Sequence, residues 1–107
     1  MEVRKIIYTN ELTTEEWRLI RQTLKIILRQ DKQLRNSDKV AKALEQITDE
    51  TSQRLFKSYY IEGNGIIKCS LTFHYEESVI RRKLNQASKE FAQAWNNGAL
   101  IKLFKDK

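Results

Sequence analysis

His74 stands two and three residues ahead of a pair of carboxylates, Glu76 and Glu77, and Arg81, Arg82 and Lys83 follow closely. An imidazole and a carboxylate can pass a proton between them, and arginine can hold a phosphate. This short run therefore has the parts of a small RNA-cleaving site, although each part is also ordinary charged surface. Cys69 is the only cysteine and His74 the only histidine. On a strand they fall on opposite faces, which argues against shared metal ligation. The glycines, Gly63, Gly65 and Gly98, are used in one turn and one helix end, so no phosphate-binding glycine loop is present. The expectation is no metal, no cofactor and, on balance, no catalysis.

A second set of residues carries charge in a pattern. Arg18, Arg21, Lys25, Arg29 and Lys32 are spaced three, four, four and three apart. On a helix they fall in one stripe about 80° wide and about 21 Å long. Arg21–Lys25 and Lys25–Arg29 are like-charge i,i+4 pairs, each unfavourable by roughly 0.2–0.5 kcal/mol. Only Glu15, beside Arg18, offers an acid one turn away within the helix. Repulsion of this kind points to an anionic partner, either a nucleic-acid backbone or an acidic protein surface. The competing reading is internal: Asp38, Glu45 and Asp49 share a face further along and are the obvious mates for the stripe.

The element that positions the stripe has a strong start. Thr13-Thr14-Glu15-Glu16 is a capping box, and Leu12 and Trp17 occupy the positions of a hydrophobic staple around it. Trp17, Ile20, Leu24, Ile27 and Leu28 then recur at three- and four-residue steps as the apolar face of a helix from Thr13 to Arg35. Ahead of it, Val3 to Thr9 reads as a strand ending at Asn10. After it, Ser37 is a helix cap, and Val40, Ala43, Leu44, Ile47 and Thr51 carry a second helix to about Ser52.

Leu55 to Ile61 is rich in aromatic and branched residues and is followed by Glu62-Gly63-Asn64-Gly65, a tight-turn signal. Ile67, Cys69, Leu71, Phe73 and Tyr75 then alternate with Lys68, Ser70, Thr72 and His74, the pattern of a half-buried antiparallel strand. The two runs are expected to pair as a β-hairpin, with Tyr59 beside Lys68, Ser70 and Thr72 on its outer face. Ser78 to Asn97 is the third helix, faced by Ile80, Leu84, Ala87, Phe91, Ala94 and Trp95. Gly98 suits a left-handed helix end. Ala99 to Phe104 is short and apolar, an edge strand or a last helical turn.

The expected fold is α+β: a small antiparallel sheet of strand, helix, helix, hairpin, helix and a possible C-terminal strand, with the helices packed mainly on one face. Trp17, Leu24, Ile27, Cys69, Leu71, Phe73, Leu84, Phe91 and Trp95 are the expected core. The 107 residues are expected to form a single domain. The 20 basic and 14 acidic side chains leave a net charge of +6, which favours anionic partners. One cysteine fits a reducing compartment. Neither a signal peptide nor an apolar stretch long enough to span a membrane is evident, so the cytoplasm is the default.

The first fifty residues resemble a ribbon-helix-helix DNA-binding module: a short strand (VRKIIYT), a helix opened by Thr-Thr-Glu-Glu, then a helix opened by Asn-Ser-Asp (NSDKVAKALEQI). The resemblance implies paired strands in the major groove, with Arg4, Ile6 and Tyr8, or Lys5 and Thr9, as readers. The first helix is longer than that module has, no glycine turn separates the two helices, and the second half of the chain has no place in it. The leading functional expectation is a non-enzymatic nucleic-acid-associated regulator that binds the phosphate backbone through Arg18, Arg21, Lys25, Arg29 and Lys32. A protein-binding adaptor or inhibitor, as a monomer or a homo-oligomer, comes next, and a small ribonuclease third.

Overall fold

The computed structural model describes residues 12–105. Every regular element among them is helical. In chain order these are α1 (Thr14–Gln30), α2 (Lys32–Arg35), α3 (Asp38–Glu45), α4 (Glu50–Phe56), a π-helical turn (Lys57–Ile61), α5 (Ile66–Phe73), α6 (Glu77–Ala94), a tight turn (Trp95–Gly98) and α7 (Ala99–Lys105). The expected strand Val3–Thr9 lies outside the described residues.

The helix starts follow their local signals. Thr13 accepts from the Glu16 amide and Glu16 reaches back to the Thr13 amide, while Leu12 and Trp17 are both buried beside this capping box. Ser37 accepts from the Val40 amide at the start of α3. The long first helix does not run to Arg35, however. Asp31 has extended backbone geometry, ends α1 with its own N–H donating to Ile27 O, and caps α2 by accepting from Leu34 N. The expected second helix also breaks, because Asp49 is a better cap than a helix-interior residue. Its carboxylate accepts from the Ser52 amide and hydroxyl and opens α4. Thr48, just before it, donates its amide to Glu90 of α6.

The α+β expectation is overturned: the described residues contain no strand and no sheet. The predicted hairpin is two helices. Its first arm, Leu55–Ile61, continues α4 into the π turn, where Glu62 N–H donates to Lys57 O. Its second arm is α5. The alternation in that arm hid a helical period, for Ile66, Cys69, Ser70 and Phe73 are the buried or half-buried residues, while Leu71 is 72% exposed and Ile67 is 65% exposed. Strand propensity is a preference for a pleated, half-buried surface, and packing against two other helices overrides it. Leu71 therefore does not belong to the core. Trp17, Leu24, Cys69, Leu84 and Phe91 are buried as expected, and Ile27, Phe73 and Trp95 are half-buried against them. The proposed C-terminal strand is α7, which buries Leu100 and Ile101.

The centre of the molecule is α6, which packs against α1, α3, α4, α5 and α7. Phe91 of α6 stacks on Phe56 of α4 with ring centroids 4.6 Å apart, and Tyr60 lies 4.4 Å beyond on the other side of Phe56. Ile20, Leu24 and Leu28 close this aromatic column from the α1 side, all fully buried. The Asn96–Asn97–Gly98 run takes left-handed backbone angles and lets α7 fold back onto α6.

Candidate functional site

Four of the five stripe residues sit on α1, and the structure gives each different surroundings. Arg18 is ion-paired with Glu15, with both side chains more than half exposed. Arg21 is half-buried on the side of Tyr60. The Lys25 ammonium lies 4.9 Å from the centroid of the Tyr59 ring. Arg29 is exposed, and its guanidinium covers Gly63, where a Cβ would come within 2.6 Å of Cζ. Lys32 is exposed but lies beyond the Asp31 break, in α2. Among the described residues no ion pair joins these five to Asp38, Glu45 or Asp49, the expected internal mates. Asp49 instead pairs with Lys83 at 3.6 Å.

The hydrogen bonds from Ser52, with Lys83 close by, hold the Asp49 carboxyl below the usual carboxylate range. Tyr60 is the opposite case. Burial pushes its phenol well up, so it is a neutral hydrogen-bonding group at any ordinary pH.

A second site was not legible in the sequence as a unit. Helices α5 and α6 are joined by three residues, His74, Tyr75 and Glu76. His74 takes left-handed angles (φ 62°, ψ 40°), its amide donates to Ser70 O, and the Ser70 hydroxyl donates to Tyr75 O. That geometry ends α5 abruptly and redirects the chain at once into α6. Cys69 on α5 and Ile80 and Leu84 on α6 are buried in the common core, and α4 with its π turn packs against both helices. The Gly63–Gly65 turn is what brings α5 back against α4: Asn64 N–H donates to Ser58 O and its side-chain amide to Ser58 Oγ.

With its inner face spent on the core, α6 turns Ser78, Arg81, Arg82 and Asn85 outward, all exposed. They occupy a sector of about 100° over the first three turns of the helix. Lys83 and Lys89 are engaged, Lys83 with Asp49 and over the Tyr75 ring, Lys89 over the Trp17 ring. Arg81 and Arg82 have neither an ion pair nor a hydrogen bond among the described residues.

The His74 constellation does not assemble as an acid–base pair. The imidazole is exposed, no hydrogen bond ties it to Glu76 or Glu77, and the residue's place in the fold is set by its backbone. Among the described residues no three His, Cys, Asp or Glu side chains lie close enough together to hold a metal ion. No helix there is long and apolar enough to cross a membrane. Comparison with protein-family models, with curated proteins and with solved structures finds no match to this chain.

Proposed function

We propose that this chain is a non-enzymatic DNA-binding protein that seats the start of α6 in the major groove of duplex DNA and braces itself on the phosphate backbone. The supporting observation is the α5–turn–α6 unit. A short helix, a three-residue turn with a left-handed first residue and a long second helix, packed on a third, are the parts of a helix-turn-helix. His74 stands in the turn, where glycine is common in such units. On this reading Arg81 and Arg82 are the base readers, since arginine pairs bidentately with guanine O6 and N7. Ser78 and Asn85 flank them, and Lys68, exposed on α5, is within the same unit for a phosphate.

The basic stripe of α1 keeps the place that its charges suggest, as a backbone contact. Its cations are not neutralised by the acids of α3, and Lys25, Arg29 and Lys32 are exposed. The net charge of +6 favours such an encounter. Contact with an acidic protein surface is the rival for the stripe, and it makes no use of Arg81 or Arg82.

The test is anisotropy with a pool of random duplexes, the sequences selected from it, and single-stranded RNA. Arg82→Ala is expected to lower affinity for selected duplexes by about 1–3 kcal/mol and to flatten discrimination among them. Lys25→Glu with Lys32→Glu is expected to weaken every duplex alike, because phosphate contacts position without reading. A wild-type protein that fails to bind any duplex at low salt would overturn the proposal.

A further inference from the structure

The first three turns of α6 present Ser78, Arg81, Arg82 and Asn85 on one exposed arc, spaced three, one and three residues apart. Ser78 and Asn85 lie near the midline of the arc, and Arg81 and Arg82 lie about 50° to either side of it. From first to last they span about 10 Å along the axis. Among the described residues neither arginine has an ion pair, and the Asn85 side-chain amide has no hydrogen bond. Glu76 and Glu77 occupy the tip of the helix. End-on entry would lead their carboxylates into the negative potential of a groove, so the arc meets the groove lengthwise. Glu77 also borders the arc beside Arg81 and keeps that edge off the phosphates, which leaves Arg81 the base edges.

We infer that the duplex target of α6 holds two guanines on opposite strands of neighbouring base pairs, with an adenine one or two base pairs beyond. The inference rests on the proposed seating of α6 in the major groove. A helix laid along that groove has one strand on each side, so side chains on opposite flanks of the arc reach opposite strands. The best base partner of arginine is guanine, whose O6 and N7 take both arms of the guanidinium. One base pair cannot hold a guanine on each strand. Arg81 and Arg82 are about 1.5 Å apart along the axis, less than the roughly 3.4 Å between base pairs, so the pairs they read are neighbours. The shared step is therefore GC or CG. Asn85 lies about 4.5–6 Å further on, a distance of one or two base pairs, and a carboxamide pairs bidentately with adenine N6 and N7. The Ser78 hydroxyl both donates and accepts, so it adds contact without choosing a base.

The test is selection by the full chain from a pool of random duplexes, followed by competition anisotropy. Selected duplexes are expected to share a GC or CG step with an adenine one or two base pairs away on one side. Replacing one guanine of that step by 7-deazaguanine removes its N7 acceptor and is expected to weaken wild-type binding about 10-fold. The same replacement is expected to cost Arg81→Ala nothing at one guanine and Arg82→Ala nothing at the other, which assigns each arginine to its own strand. Asn85→Ala is expected to lose only the preference for adenine. All three side chains are exposed, so each variant is expected to keep the wild-type circular dichroism and melting temperature. Enriched guanines that neighbour each other on one strand would sink the inference. So would two arginine variants that respond to the same guanine, or an adenine preference that survives Asn85→Ala. Duplex binding with no enrichment at any base pair also sinks it and leaves the backbone contact in place. Failure to bind any duplex removes the proposed function, and this inference with it.

Discussion

At the scale of single residues, the aromatic column and the backbone of two turns carry the most weight. Phe91 is fully buried between Phe56 and the ring of Trp95, whose centroid is 6.3 Å away. Phe91→Ala is expected to lower unfolding free energy by about 3–5 kcal/mol in urea titration, as large-to-small changes in a close-packed core do. Gly63→Ala meets two obstacles: a φ of +80° and the Arg29 guanidinium in the space a Cβ needs. It is expected to cost about 1–2 kcal/mol, and Arg29→Ala in the same background is expected to recover only the steric part. Asp49 gives the acid limb of stability. Its folded-state pKa is depressed, chiefly by the Ser52 hydrogen bonds, so its contribution is full above the ordinary carboxylate range and is lost as pH falls through the lowered value. In Asp49→Asn the difference between melts at neutral and acid pH is expected to shrink. The capping roles of Thr13 and Ser37 were legible in the sequence because a cap is local: the side chain and the amide it accepts from lie within four residues. Gly98 is left-handed as expected, but α6 ends earlier, at Ala94 with Trp95 as its cap. The exposure of Leu71 was not legible, because nothing within four residues says which neighbour a side chain will meet.

At the scale of elements, α1 and α6 were visible from their apolar periodicity, and α5 was misread. Eight residues carry only two helical turns, and in Ile66–Phe73 the apolar side chains satisfy a period of two nearly as well as one of 3.6. The decision fell to the partners, α4 and α6, which no single-segment pattern reveals. The hairpin signal at Gly63–Gly65 was real as a turn signal and wrong only about what it joined. His74 tests the turn that makes α5 and α6 a unit. A left-handed residue other than glycine is unfavourable by about 1–2 kcal/mol. His74→Gly is therefore expected to raise the melting temperature by a few degrees and to leave duplex binding unchanged.

For the molecule as a whole, charge and helix order decide what is measurable. Five stripe cations all in contact with phosphate would give a log–log salt slope of about −4.5 on duplex DNA. Arg18 is paired with Glu15 and Arg21 is half-buried, so the stripe alone is expected to give a shallower slope, with contacts from α5 and α6 making up any excess. A slope that Lys25→Glu with Lys32→Glu leaves unaltered would remove the stripe from the interface. Placing the stripe and α6 in one molecule also gives the π turn a significance of its own. Its wide ring holds one residue more than an α-helical turn, so Lys57–Ile61 absorbs an extra residue between α4 and all that follows with little change of helical phase. Deleting a single residue there would close the turn to the ordinary helical repeat and leave the direction of the downstream chain nearly unchanged. The loss would fall on the contacts of the turn itself, those of Ser58 with Cys69 and Asn64, and not on the side of the molecule to which the α5–α6 unit is aimed.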